Sequence, residues 1–248
     1  MPFGYTGKIL HVDLSNREIE VEQQNEAFYR CYLGGRGIGY HYLMQQVPAA
    51  TDPLAPENIL VLASGVMTGA PLPAACRFAA VGKSPLTETA GESEAAGFFG
   101  PELKMAGFDA IVLKGRAEKP VYLWVSGGNA EIKDAARLAD WGAREVEDAI
   151  RAEMGSKKIR VAQTGLAGMN RVRFANITNN LGHFNGRCGF GALMGSKNLR
   201  AVAALGSEKL TYKDSGFLRS TAQNYARTFK ENPIGEQLFV YGTTAFPE

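Results

Sequence analysis

The sequence predicts an α+β protein in which a duplicated strand–loop–helix–strand unit forms two antiparallel-rich sheets with few helices. Short segments alternate apolar and polar residues and end at turn-forming pairs, the pattern of half-buried strands. Four landmarks then recur in the same order, roughly a hundred residues apart. Helical spacing is confined to a handful of segments.

Taken in order, Lys8-Ile9-Leu10-His11-Val12-Asp13-Leu14 alternates, Ser15-Asn16 supplies a turn, and Glu18-Ile19-Glu20-Val21 alternates again, giving a hairpin. Gly34-Gly35-Arg36-Gly37-Ile38-Gly39 leads into a helix over 40–46, and the proline-rich stretch 47–56 is a loop. The first unit opens with the apolar strand Ile59-Leu60-Val61-Leu62-Ala63 running to Gly65, matched by Ile159-Arg160-Val161-Ala162-Gln163 running to Gly165. Cys76-Arg77-Phe78-Ala79-Ala80-Val81 is matched by Val172-Arg173-Phe174-Ala175-Asn176-Ile177. Gly97-Phe98-Phe99-Gly100 is matched by Gly189-Phe190-Gly191, and the strand 110–115 by 201–206, each ending in glycine. Between the units lie a second hairpin (121–125 and 130–133, turning at Gly127-Gly128-Asn129) and an amphipathic helix over 143–154. That helix gathers Val146, Ala149, Ile150 and Met154 on one face. Beyond Gly206 the texture changes to a surface helix over 215–230 and a turn at 241–244. We therefore divide the chain into a domain at 1–208 and the truncated start of a helical domain at 209–248.

Composition narrows the function classes. The 248 residues are 45% hydrophobic and 21% charged, ordinary for a soluble domain. A net charge of +2, with no Lys/Arg run longer than two, argues against nucleic acid as a partner. No basic-then-apolar leader or bilayer-length apolar run is present, so no membrane partner and a cytoplasmic location are expected. Cys31, Cys76 and Cys188 are too few and too scattered for a disulfide framework or a self-contained zinc or iron–sulfur site. They read as small, half-buried loop residues.

The densest chemical signal is the stretch from Asn179 to Arg200. Five glycines within the fourteen residues 182–195 suggest main-chain amides left bare for an anion. Arg187 adds a forked, permanently charged donor, and Ala192-Leu193-Met194 begins a short helix. The first unit offers a similar cradle: Arg77, then Gly91-Glu92-Ser93-Glu94-Ala95-Ala96-Gly97. Two such cradles suit a two-headed ligand, a pair of phosphorylated groups sharing a divalent ion. A mononucleotide-binding protein is the alternative, and the missing Gly-x-Gly-x-x-Gly between strand and helix speaks against it.

Motifs along the whole chain resemble the tungsten-containing aldehyde ferredoxin oxidoreductases, specifically the N-terminal domain and the first segment of the next. They include Gly7-Lys8-Ile9-Leu10-His11-Val12-Asp13-Leu14-Ser15, Leu33-Gly34-Gly35-Arg36-Gly37 and Pro53-Leu54-Ala55-Pro56-Glu57-Asn58. Further along stand Lys83-Ser84-Pro85-Leu86-Thr87, the run from Gly97-Phe98-Phe99-Gly100-Pro101 to Gly107-Phe108-Asp109-Ala110, and Glu118-Lys119-Pro120-Val121-Tyr122. The last is Met194-Gly195-Ser196-Lys197-Asn198-Leu199.

The resemblance implies a saddle for a tungsten (or molybdenum) bis-pterin whose phosphates are bridged by magnesium. It assigns cofactor contacts to Arg77, Glu94, Ala95, Ala96, His183, Phe184, Gly186 and Arg187, with the backbone carbonyls of Glu94 and Phe184 turned to magnesium. Well-known members carry Asn-Ser-Gly-Gly where this chain has Glu94-Ala95-Ala96-Gly97, and arginine at the position of His183. The implied activity of the whole enzyme is oxidation of an aldehyde to a carboxylic acid with transfer of electrons to ferredoxin. The 4Fe-4S cluster for that transfer and the substrate channel belong to later domains, so this chain carries no catalytic residue and is inactive alone. The missing part is either further chain or a separate cysteine-rich polypeptide, and a homodimer is one assembly the family admits. In that second arrangement the chain is a short subunit or cofactor-binding module.

Overall fold

The structure, a computed structural model, describes residues 3–245; positions 1–2 and 246–248, the outer ends of the 1–208 and 209–248 segments, lie outside that range. β1 (Lys8–Asp13) and β2 (Glu18–Gln23) form the first hairpin. Asp13 Oδ1 accepts the N–H groups of Ser15 and Asn16 at 2.9 and 3.2 Å, which fixes the turn. Helices α1 (Glu26–Tyr32) and α2 (Arg36–Gln46) follow, then β3 (Leu60–Ser64), β4 (Phe78–Lys83), β5 (Ala90–Ala95), α3 (Phe99–Met105) and β6 (Ala110–Lys114). The chain then repeats itself. Hairpin β7 (Val121–Ser126) and β8 (Asn129–Asp134) leads through α4 (Ala143–Glu153) to β9 (Arg160–Thr164) and the single turn α5 (Leu166–Met169). β10 (Ile177–Asn179), β11 (His183–Asn185), α6 (Phe190–Ser196) and β12 (Leu199–Leu205) complete the second unit.

The two six-stranded sheets have the orders β2-β1-β6-β3-β4-β5 and β8-β7-β12-β9-β10-β11. Strand for strand they correspond, and each contains one parallel pair, β1/β6 or β7/β12, among antiparallel neighbours. The expected duplication and antiparallel-rich α+β architecture are both present. The repeat is larger than the landmarks suggested, because the second hairpin opens the second unit just as β1–β2 opens the first. One landmark pair does not correspond: Phe78 begins β4 in the core, whereas Phe174 is 73% exposed ahead of β10. Ile177, buried in the same core as Phe78, is its counterpart in packing.

Alternation along the strands sorts residues into three layers. Leu10, Leu62, Phe78 and Ile111 of one sheet face Leu123, Ala162, Ile177 and Val202 of the other, with Phe99 of α3 and Phe190 of α6 between them. The opposite parity, Ile9, Val61, Val81 and Val112, packs under Tyr29, Ile38 and Tyr42 of α1 and α2. Tyr122, Val161 and Ala203 pack under Val146 and Ile150 of α4. β3 is buried on both faces, which explains its unbroken apolar run. Among the described residues eight α-helices stand where few were expected, and four of them have seven residues or fewer. Past β12, α7 (Ser215–Thr228) and α8 (Pro233–Tyr241) bury no residue. Among the described residues no helix is long and apolar enough to cross a membrane.

Two fully buried lysines tie loops to this frame. Lys197 Nζ, after α6, donates to the carbonyls of Asn58, Gly115 and Pro56 at 2.5, 3.1 and 3.3 Å. Burial pushes its pKa down to about 7, with Arg116 adding to the effect and Glu57 and Asp13 opposing it. Burial likewise brings Lys104 of α3 down to about 8, against the pull of Asp109. Both folded values lie below the ~10.4 of an unfolded lysine, so between about pH 7 and 10 the unfolded chain binds more protons. Stability should therefore climb across that window, by on the order of a few kcal/mol. Above it, tyrosines Tyr29, Tyr42 and Tyr122, raised chiefly by burial, lose stability as the unfolded chain ionises. Denaturant midpoints measured against pH check this, and Lys197→Met should give the flatter profile.

Candidate functional site

β5 and β11 occupy equivalent places at the edges of their sheets, and they meet. Asn185 Nδ2 donates to the Ser93 carbonyl at 2.7 Å, and the Arg187 N–H donates to Ser93 Oγ at 3.2 Å. Asn179 Nδ2 reaches the Ala96 carbonyl at 3.0 Å, and the Phe98 N–H donates to Asn180 Oδ1 at 2.8 Å. Cys188, half-buried, points its thiol at the Glu92 carbonyl. This seam joins the two segments singled out in the sequence, Glu94-Ala95-Ala96 and His183-Phe184-Asn185-Gly186-Arg187.

Beside the seam a hollow of about 320 Å³ is lined by Gly34, Gly35, Arg36, Gly65, Arg77 and Glu94, among others. Thr68 Oγ1 donates to the Arg77 carbonyl at 2.7 Å and accepts the Gly65 N–H at 3.0 Å. Lys104 Nζ donates to the carbonyls of Gly65 and Val66 at 2.6 and 3.0 Å, so the loop carrying Arg77 is anchored at several points. His183, Phe184, Gly186 and Arg187 do not line this hollow; the first two stand on the adjoining β11 and the others just beyond it, where the Arg187 N–H bonds Ser93, the neighbour of Glu94. The site is thus one seam with two exposed flanks.

The side chains of Arg77 and Arg187 are exposed and make no hydrogen bond or ion pair among the described residues. Glu94 differs, because its carboxylate is held by Arg36 Nη2 at 2.9 Å. The carbonyls of Ser93 and Ala96 are taken by asparagine amides, whereas no side chain of the described residues donates to those of Glu94 or Phe184. Four buried oxygens at the seam lack a donor: Glu92 Oε2, Thr178 Oγ1, Asn179 Oδ1 and Asn185 Oδ1. Buried polar atoms are normally paired, so this concentration marks the junction of β5, β10 and β11 as a place for a ligand. Free guanidiniums for phosphate oxygens, beside orphaned acceptors that a polar group or a cation could satisfy, make a set that fits a phosphorylated, polar ligand. Among the described residues no three His, Cys, Asp or Glu side chains are grouped to hold a metal ion.

The glycine-rich stretch needs correcting as a cradle. A Cβ on Gly189 would lie 1.8 Å from the Arg173 carbonyl oxygen, one on Gly191 2.2 Å from that of Asn176, and one on Gly195 1.9 Å from that of Gly168. These three glycines let α6 press against neighbouring backbone, and Gly189 also has φ +72°. Only Gly182 and Gly186 have open space around them, and they flank His183 and Phe184. Sequence reasoning missed the bridging asparagines Asn179 and Asn185, whose spacing gives no periodic signal.

The sequence profile described as "Aldehyde ferredoxin oxidoreductase, N-terminal domain" matches residues 9–206. This chain belongs to the aldehyde ferredoxin oxidoreductase family. Within the family, the "Tungsten-containing aldehyde ferredoxin oxidoreductase" of Pyrococcus abyssi is 41% identical over 97% of this chain and 40% of its own length. The protein of the same name from Pyrococcus furiosus is 40% identical over the same shares. A more distant relative from Pyrococcus furiosus, "Aliphatic sulfonate oxidoreductase, WOR-like subunit", is 35% identical over 84% of this chain and 35% of its own. A solved structure, "Active site complex BamBC of Benzoyl Coenzyme A reductase in complex with 1,5 Dienoyl-CoA", superposes with TM-score 0.89 at 34% identity. It covers 94% of this chain and 36% of the other. The aldehyde ferredoxin oxidoreductase fold is therefore present, and the chain spans about 40% of the length of the curated relatives it matches.

Proposed function

We propose that this chain is the cofactor-cradling part of an oxidoreductase that converts aldehydes to carboxylic acids on a tungsten (or molybdenum) bis-pterin and passes the electrons to ferredoxin. The observation that supports the reading is the meeting of two equivalent edge strands, beside which Arg77 lines the hollow and Arg187 bonds Ser93 through its backbone N–H. A pseudo-symmetric frame of this kind matches a ligand with two phosphorylated arms. When bound, that group supplies a two-electron redox centre.

The residues here bind and orient it. Arg77 and Arg187 hold phosphate oxygens with forked donors, and the carbonyls of Glu94 and Phe184 are offered to magnesium. Ala95, Ala96 and Gly186 bring small residues to the ligand, and the exposed His183, whose ring lies beside Gly97, contributes a polar side chain. Residues 1–208 form the cradle and 209–248 begin the next domain, in a cytoplasmic enzyme. The iron–sulfur cluster and substrate channel come from the remaining length, as further chain, as a partner polypeptide, or within a homodimer.

The test is elemental analysis of the native enzyme together with fluorescence of its released, oxidised pterin. Two pterins per tungsten or molybdenum are expected. Neither metal nor pterin in the complete enzyme would refute the reading.

A further inference from the structure

A third guanidinium stands in the hollow beside Arg77, and the proposed grip on the cofactor does not use it. Arg36, the first residue of α2, spans two carboxylates: Nη1 lies 2.8 Å from Glu92 Oε1 and Nη2 lies 2.9 Å from Glu94 Oε1. Glu92 and Glu94 alternate along β5 and so project from one face. The pair differs in depth. Glu92 has one buried oxygen with no donor, while the Arg36 and Glu94 side chains are 58% and 34% exposed.

The charge arrangement is unexpected for an anion site. A carboxylate occupies the same hollow as two guanidiniums, at the place where phosphate is proposed to bind. To a guanidinium edge, carboxylate and phosphate oxygens are equivalent acceptors, and the fork can accept either. Ion pairs this exposed are weak and exchange readily.

We infer that the Arg36–Glu94 pair is an internal stand-in for phosphate. The Glu94 carboxylate fills the Nη2 edge of Arg36 until a phosphorylated ligand displaces it, while Glu92 keeps the guanidinium aimed into the hollow through Nη1. Arg36 then acts as a third phosphate donor beside Arg77, and Glu94 sets the affinity by competing for it. This rests on the phosphate-binding reading of the seam, and it concerns side chains that reading leaves aside.

Isothermal titration of the full chain with inorganic pyrophosphate tests it, using the wild type, Glu94→Gln, Arg36→Ala and the double variant. Glu94→Gln should bind about fivefold tighter and Arg36→Ala about tenfold weaker, the scale of an exposed charged hydrogen bond. In the Arg36→Ala background, the gain from Glu94→Gln should shrink below about twofold, because the competitor has nothing left to compete for. An equal gain in both backgrounds would mean that Glu94 acts only through its field, and the inference would fall. Unchanged or weaker binding by Glu94→Gln, or no binding by any of the four proteins, would overturn it too. Failure of the bis-pterin reading is a separate result, read from the metal and pterin content of the native enzyme.

Discussion

Replacing Arg77 and Arg187 together with alanine should leave the assembled enzyme almost devoid of tungsten and pterin. Each guanidinium offers charge-assisted hydrogen bonds worth about 1.5–3 kcal/mol when the partner is ionised. Losing both removes roughly 3–6 kcal/mol, on the order of 10²- to 10⁴-fold in affinity. The single variants should each lose on the order of ten- to a hundredfold and retain partial occupancy. Lysine at either position should fall between, since it keeps the charge and gives up the planar fork. Both side chains are exposed and unpartnered among the described residues, so unfolding should shift by less than ~0.5 kcal/mol. Metal per polypeptide, measured alongside a denaturation curve, separates lost binding from lost folding. Full occupancy in the double variant would take these arginines out of the site.

The strand framework was readable because its physics is local. Hairpins β1–β2 and β7–β8 alternate with a period of two and turn at Ser15-Asn16 and Gly127-Gly128-Asn129, so their register needs no distant partner. α4 was readable for the same reason, as its buried Val146 and Ile150 lie at helical spacing. α2 begins four residues earlier than the sequence suggests, at Arg36 rather than at 40. Gly37 and Gly39 are poor helix formers in isolation, yet here Gly39 lets the helix approach Val81 of β4. Tertiary packing overrides propensity at that point. α1, α3, α5 and α6 have at most seven residues each, too short to display an apolar face.

The candidate site was legible in the residues it singled out and illegible in its joinery. Arg77, Glu94 and the 183–187 segment could be selected by residue type and resemblance, but nothing local says that β5 and β11 touch. That contact depends on both sheets being built and stacked, with Asn179 and Asn185 crossing between edges some 80–90 positions apart in sequence. The glycines show the converse error. Their density suggests exposure, whereas Gly189, Gly191 and Gly195 are buried because backbone from distant turns needs the space a side chain would fill. Glycine composition alone cannot separate an open loop from a tight contact.

Asp109→Ala should be among the most destabilising single changes in the chain. Asp109 precedes β6 and is fully buried, and its carboxylate accepts four donors. These are the Thr6 N–H at 3.0 Å, Thr6 Oγ1 at 3.0 Å, the Gly7 N–H at 2.8 Å and the Tyr29 hydroxyl at 2.7 Å. Removing it leaves those buried and half-buried donors with nothing to bond, and withdraws the negative charge that favours the protonated form of Lys104. Breaking a buried charged cluster from one side costs about 3–5 kcal/mol. For a chain of this size that lowers the melting midpoint by roughly 10 °C. Asp109→Asn should recover only part of the loss, because its amide N–H₂ group faces a site supplied entirely with donors. Combining Asp109→Asn with Lys104→Met should cost less than the two changes summed, since a neutral pair no longer needs compensation. The damage should also reach the hollow: Lys104 holds the Gly65 and Val66 carbonyls, and that loop carries Arg77. Pyrophosphate affinity should therefore weaken in Asp109→Asn even under conditions where the variant is fully folded. An affinity equal to wild type in the folded variant would confine Asp109 to stability alone.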